Sequence, residues 1–259
     1  PFLLQLIYVI IITNWVVKTY PVAKTNRTLF VLLFWPLPIL FAGFNLSESL
    51  ALILVTYLFI LLLKETKPKL FFLQLFLFAA LSALTRHEAT AFLGMLGVFL
   101  FLFKYRKEGV LIISGLFFGL LVFSIWNYSQ INEPLFWLSS KFNASGAGAK
   151  DIIETYGLSA RISESLLAVF FVFPLIPFLL QSPKIFNQYW TSSVSKSARQ
   201  PIYLSAFSFI LIFVLASLFF FHGADPKYLL IAAFPFALLT SDLLHSFSPI
   251  RKKIIYYSI

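Results

Sequence analysis

Apolar residues run through this chain in long unbroken stretches, each cut off by a few polar positions and none alternating with them. Nine stretches stand out: Phe2 to Val17, Thr28 to Gly43, Ser49 to Leu63, Leu70 to Leu84, Ala89 to Phe103, Val110 to Trp126, Ser165 to Leu180, Pro201 to Phe221 and Tyr228 to His245. At about 15 to 21 residues each, they have the length that crosses a hydrocarbon core of roughly 30 Å as helix. A barrel strand shows an apolar face only at every second position, so continuous runs argue for helices. The pattern predicts an all-α fold, a polytopic transmembrane helix bundle of about nine spans. It forms a single membrane-embedded domain over residues 1–259, with one longer extracytoplasmic loop at 127–164. No charged segment or small-residue cleavage site precedes Phe2, so the opening run reads as a span and not a signal peptide. The start at Pro1 is read as that of a fragment whose N-terminal part is missing.

Composition agrees: the chain is 60% hydrophobic, 19% aromatic and 12% charged, more apolar than a water-soluble core of this length needs. The formal net charge of +10 changes the picture only through its placement. Five groups of three cations occupy alternate loops: Lys18, Lys24, Arg27; Lys64, Lys67, Lys69; Lys104, Arg106, Lys107; Lys184, Lys196, Arg199; and Arg251, Lys252, Lys253. By the positive-inside rule these loops are cytoplasmic topology anchors, and nucleic acid is not expected as a partner. The remaining cations, Arg86, Lys141, Lys150, Arg161 and Lys227, fall outside with most of the acids, which puts the working site on the extracytoplasmic face. Without Cys there are neither disulfides nor thiolate metal sites. The link from Gln181 to Gln200, rich in Ser, Lys and Asn, is the expected internal boundary. ASGAGA at 144–149 reads as a flexible loop, and Asp151 to Tyr156 as a short helix lying on the membrane.

Three outer-edge clusters carry the candidate chemistry: Asn45, Ser47 and Glu48; Arg86, His87 and Glu88; and His222, Asp225, Lys227 and Tyr228. Ionisable groups at a membrane edge are costly unless solvated or paired, which makes each a functional candidate. Each also has a local structural explanation. Thr85 to Glu88 and Asn45 to Glu48 spell capping boxes, and Asp225-Pro226 is a favoured helix start. Arg86 and His87 are left unexplained by a cap, and Lys227 opposes the dipole of the helix it would open. Arg86 and Lys227 together suit a phosphate or pyrophosphate, while the carboxylates suit sugar hydroxyls or a base. Asn127 and Glu133, where the long loop begins, join the site-lining candidates. His87 and His222 lack metal-ligand spacing, so no zinc site is assigned; no cofactor is assigned either, and a divalent metal is left open.

Four stretches go further: FNLSESLALIL (Phe44 to Leu54), ALTRHEATAFL (Ala83 to Leu93), WNYSQINEPLFWLSS (Trp126 to Ser140) and HGADPKYLLIAAFPFALL (His222 to Leu239). In order and spacing they resemble the GT-C superfamily of multi-span glycosyltransferases, near its protein O-mannosyltransferase and aminoarabinose-transferase-like branch. The resemblance implies an enzyme of the bacterial inner membrane or the endoplasmic reticulum membrane. It would transfer a sugar from a polyprenyl-phosphate-linked donor to an acceptor on the extracytoplasmic side, by an inverting displacement. Membrane lipids and the lipid-linked donor are the implied partners. Arg86 and Lys227 with Tyr228 correspond to the donor-phosphate side, and Glu48 and Glu88 to structural or sugar-side carboxylates. The family's catalytic Asp belongs to a first outer loop, expected in the missing N-terminal part.

A transporter or lipid flippase is the alternative, since it too needs charge within a bundle. Transporters place such groups near the midplane, often in repeated halves, whereas here the mid-span positions are apolar and no repeat is visible. The topology is directly testable because the chain has no native Cys. A Cys placed at Ser145 should react with an impermeant maleimide in intact cells, and one at Ser195 only after permeabilisation. The reverse pattern would overturn both the orientation and the side of the site.

Overall fold

Among the described residues every regular element is a helix. The computed structural model describes residues 2–35, 46–135, 159, 162–163, 165–170, 173, 183–194, 197–219 and 226–246. Helix α1 (Phe2–Thr19) ends just before Pro21, whose φ of −57° and ψ of 148° start α2 (Val22–Leu33) at once. The second stretch, expected from Thr28, therefore becomes helical six residues sooner. Lys24 and Arg27 lie on the exposed face of α2 and not in a loop, while Thr28 is buried and accepts a hydrogen bond from Ser241 Oγ at 3.0 Å.

Helices α3 (Leu46–Leu63), α4 (Phe71–Thr85), α5 (His87–Leu102) and α6 (Arg106–Ile131) follow in quick succession. Of the described helices, α3 and α6 are long and apolar enough to cross a membrane; Leu3–Thr19, Phe71–Thr85, His87–Leu102, Arg199–Leu215 and Leu229–Leu244 are shorter apolar helices. The sixth stretch proves longer than Val110 to Trp126 at both ends. Its helix takes in Arg106 and Lys107 and reaches Ile131, so Asn127 belongs to a helix and not to the outer loop. Asn132 closes it in the left-handed region at φ 59°, a conformation Asn tolerates. Between α5 and α6, Lys104 takes the left-handed position at φ 76°, and Tyr105 N donates to Leu100 O at 3.0 Å. This is the six-to-one bond of a Schellman closure, and it reverses the chain within three residues.

The described part of the seventh stretch includes a short helical run at 165–170. Within the link expected as a boundary, α7 (Pro183–Tyr189) runs into a π-helical turn at Trp190–Val194, with Tyr189 and Val194 buried. Helix α8 (Arg199–Phe219) follows, then a 3-10 segment at Pro226–Ala232 that runs into α9 (Ala233–Ser246). The readings of ASGAGA and of Asp151 to Tyr156 fall outside the described residues.

Aromatic packing ties the centre together. Phe59 of α3 meets Phe92 of α5 edge-on at 5.6 Å and stacks on Phe234 of α9 at 6.0 Å, and Phe92 meets Phe209 of α8 at 5.2 Å. Such pairs contribute roughly 0.5–1.5 kcal/mol each beyond burial, a gain that survives in lipid, where hydrophobic burial between helices does not. Helix α6 packs against α4 and α5 along one narrow stripe, Gly109, Ile112, Gly115, Leu116 and Gly119. Its opposite face exposes Phe117, Phe118, Leu121, Ile125 and Trp126, an apolar surface suited to lipid.

The stripe makes a prediction. A Cβ on Gly115 would run into the Phe76 carbonyl of α4, whereas one on Gly94 meets nothing within 4 Å. Gly115→Ala should therefore lower stability by about 1–3 kcal/mol, because backbone has to move. Gly94→Ala should leave it unchanged or raise it by roughly 0.5–1 kcal/mol through helix propensity. Unfolding in detergent of the two variants side by side is the measurement; equal effects would dissolve the claimed close approach.

Candidate functional site

Arg86 is the single extended residue, φ −151° and ψ 139°, between α4 and α5. The local pattern predicted a capping box here, and the structure replaces it. Thr85 stays in α4 and donates its hydroxyl to Ser82 O at 2.8 Å, while Arg86 occupies the N-cap without a side-chain cap bond. Its carbonyl accepts the first α5 bond, from Thr90 N at 3.3 Å. Glu88, freed from capping, lies across the guanidinium: Arg86 Nε donates to its Oε2 at 3.0 Å and Nη2 to its Oε1 at 3.4 Å.

A second carboxylate completes the arrangement. Glu48, in the first turn of α3 and only 6% exposed, places Oε1 at 3.3 Å from Arg86 Nη1. One guanidinium is thus shared by two carboxylates from two helices, each in a first turn where the helix dipole favours a negative charge. The first two of the three predicted clusters meet. The trio joins two acids and one base from α3, the break between α4 and α5, and α5 itself.

The remaining candidates are distributed as follows. His87 opens α5 half-buried, its ring 6.3 Å from that of Phe123 on α6. Asn127, one turn beyond Phe123, is 8% exposed, and its Nδ2 is buried with no hydrogen-bond partner among the described residues. Glu133 is exposed beyond the end of α6. Lys227 and Tyr228 sit in the 3-10 segment that packs against α3 and α5, the two helices carrying Glu48 and Glu88. Their side chains, like all of His222 and Asp225, fall outside the described residues. Among the described residues no three His, Asp or Glu gather as metal ligands would.

A second buried charge cluster was not anticipated. Asp242 of α9, 7% exposed, accepts hydrogen bonds on Oδ2 from Tyr189 at 2.7 Å, from Tyr203 at 3.1 Å and from Arg199 Nη1. Arg199 Nη2 reaches Tyr20 Oη at 3.4 Å. Burial first, and then the Asp242 charge, push the Tyr20 and Tyr189 phenols well above their ordinary range, which keeps both protonated: Tyr189 as a donor to Asp242, Tyr20 as the acceptor of the Arg199 bond. Arg199, read as a plain anchor, is therefore half of an ion pair joining α1, α7, α8 and α9. The available signal was a lone acid, Asp242, in an otherwise apolar last stretch.

No protein-family model, curated protein or solved structure matches this chain.

Removing one member of a buried pair leaves the other uncompensated, at about 3–5 kcal/mol. Asp242→Asn and Arg199→Leu should each destabilise the protein on that scale, and the double variant by less than their sum. A double-mutant cycle on unfolding in detergent checks this, and additive losses would mean the two groups do not interact.

Proposed function

We propose that this chain is the membrane-embedded part of an integral-membrane glycosyltransferase that uses a polyprenyl-phosphate-linked sugar, with its site at the bundle end formed by Glu48, Arg86 and Glu88. The observation that carries this reading is the shared guanidinium: two helices present carboxylates to one Arg at the end of an apolar bundle. Sugar transfer from a phosphate carrier needs cationic or donor groups where phosphate charge develops, and a carboxylate to take the proton of the attacking hydroxyl. Arg86 supplies the first, held in orientation by its two partners. Glu48 or Glu88 supplies sugar hydroxyl contacts, and Lys227 a second cation for the phosphate. The amide of Asn127, buried and without a hydrogen-bond partner among the described residues, is a donor suited to a sugar oxygen.

One observation favours the transporter reading instead. Ion pairs tie helices at two places, Glu48–Arg86–Glu88 and Arg199–Asp242, as gates on either side of a substrate path would.

The test uses the full-length gene product with polyprenyl-phosphate sugars as donors. Wild type should transfer sugar to an acceptor, and Arg86→Lys, which keeps the charge but loses the fork, should do so roughly ten- to hundredfold more slowly. Thermal stability measured alongside separates a lost fold from a lost contact. Undiminished transfer by Arg86→Lys would remove Arg86 from the phosphate site, and donor translocation without transfer would favour the transporter.

A further inference from the structure

Where α6 begins beside the start of α4, Phe72, Arg106, Lys107, Val110 and Leu111 line an open groove of about 390 Å³. Its wall is apolar, and Phe72 and Val110 are exposed. Its two charged residues are both cations. Glu108, the acid of the same helical turn, is half-buried, does not line the groove, and lies near enough to Lys67 of the loop after α3 to feel its charge. Gly109, the next residue, is pressed against Gly97 and Phe101 of α5, which leaves Arg106, Lys107, Val110 and Leu111 to form the groove side of α6. The Arg106 guanidinium stands 5.8 Å from the Phe101 ring centroid of α5.

We infer that this groove binds an anionic phospholipid of the cytoplasmic leaflet, with its phosphate between Arg106 and Lys107 and its glycerol and upper acyl chain along Phe72, Val110 and Leu111. Charge complementarity identifies the occupant. A forked guanidinium and a point-charge ammonium, with no carboxylate on the groove, favour a lipid with net negative charge over a zwitterionic one. The apolar wall below them favours a lipid over free phosphate. In a chain anchored by five basic groups, this group differs from a plain anchor in having a shaped surface beneath its cations. The inference rests on the membrane placement of the bundle, which the maleimide experiment reads separately, and is independent of sugar transfer.

The probe is the protein reconstituted in phosphatidylcholine vesicles containing phosphatidylglycerol, with bound lipid identified by native mass spectrometry after gentle extraction. Wild type should retain phosphatidylglycerol in preference to phosphatidylcholine. The double variant Arg106→Ala with Lys107→Ala should lose that preference by roughly thirtyfold, at about 1 kcal/mol per cation. Val110→Trp, which fills the groove and keeps both charges, should lose it several-fold; Val110 is exposed, so the fold tolerates the change. Lys18→Ala with Lys24→Ala, exposed cations of another basic group, should leave it intact. Unchanged preference in either groove variant, or an equal loss in the Lys18 and Lys24 variant, would overturn the site in favour of general surface attraction.

Discussion

A guanidinium at the end of an apolar bundle has to be matched by negative charge, and Arg86 is matched twice. Much of the local geometry follows. For Arg86 to reach Glu48 on α3 and Glu88 on α5, the chain must break between α4 and α5, and it breaks at a single extended residue. That break fixes the start of α5 beside the start of α3, and the 3-10 segment carrying Lys227 packs against both helices. Replacing the trio with apolar residues of similar volume would cost little in stability, since desolvation offsets much of the attraction in a buried pair.

Tyr20, Tyr189, Arg199 and Asp242 solve the same physical problem differently. Here one carboxylate accepts from a guanidinium and two phenols, and the guanidinium also reaches a third phenol. At Arg86 the arrangement is inverted, with one guanidinium shared by two carboxylates. Both arrangements tie together helices that are distant in the chain through one charged side chain at the centre.

How much of this was legible depends on range. Helical class and the apolar runs follow from continuous hydrophobicity, a property of neighbouring residues, and the described elements follow it closely. Boundaries went astray where charge was read as loop. Lys24, Arg27, Arg106 and Lys107 ride on exposed faces of helices, because an interfacial turn tolerates a cation that snorkels to water. The box at Thr85 to Glu88 failed for a related reason. A local pattern says which residues are able to cap, but the hydroxyl of Thr85 found Ser82 O and the carboxylate of Glu88 found a guanidinium, a stronger partner than a neutral N–H. Arg199 and Asp242, which meet across 43 positions of chain, leave no local trace of their pairing.

Two carboxylates beside Arg86 narrow the ligands that fit there. A phosphate approaching Glu48 and Glu88 is repelled by both, so on the reading proposed above a second cation has to accompany Arg86. The segment that contains Lys227 packs next to the two helices that carry the carboxylates, which is why the proposal gives Lys227 that part. The two carboxylates hold the guanidinium differently: Glu88 grips it through both its oxygens from the helix that Arg86 itself starts, and Glu48 meets it from α3, so two elements together fix the direction in which Arg86 points.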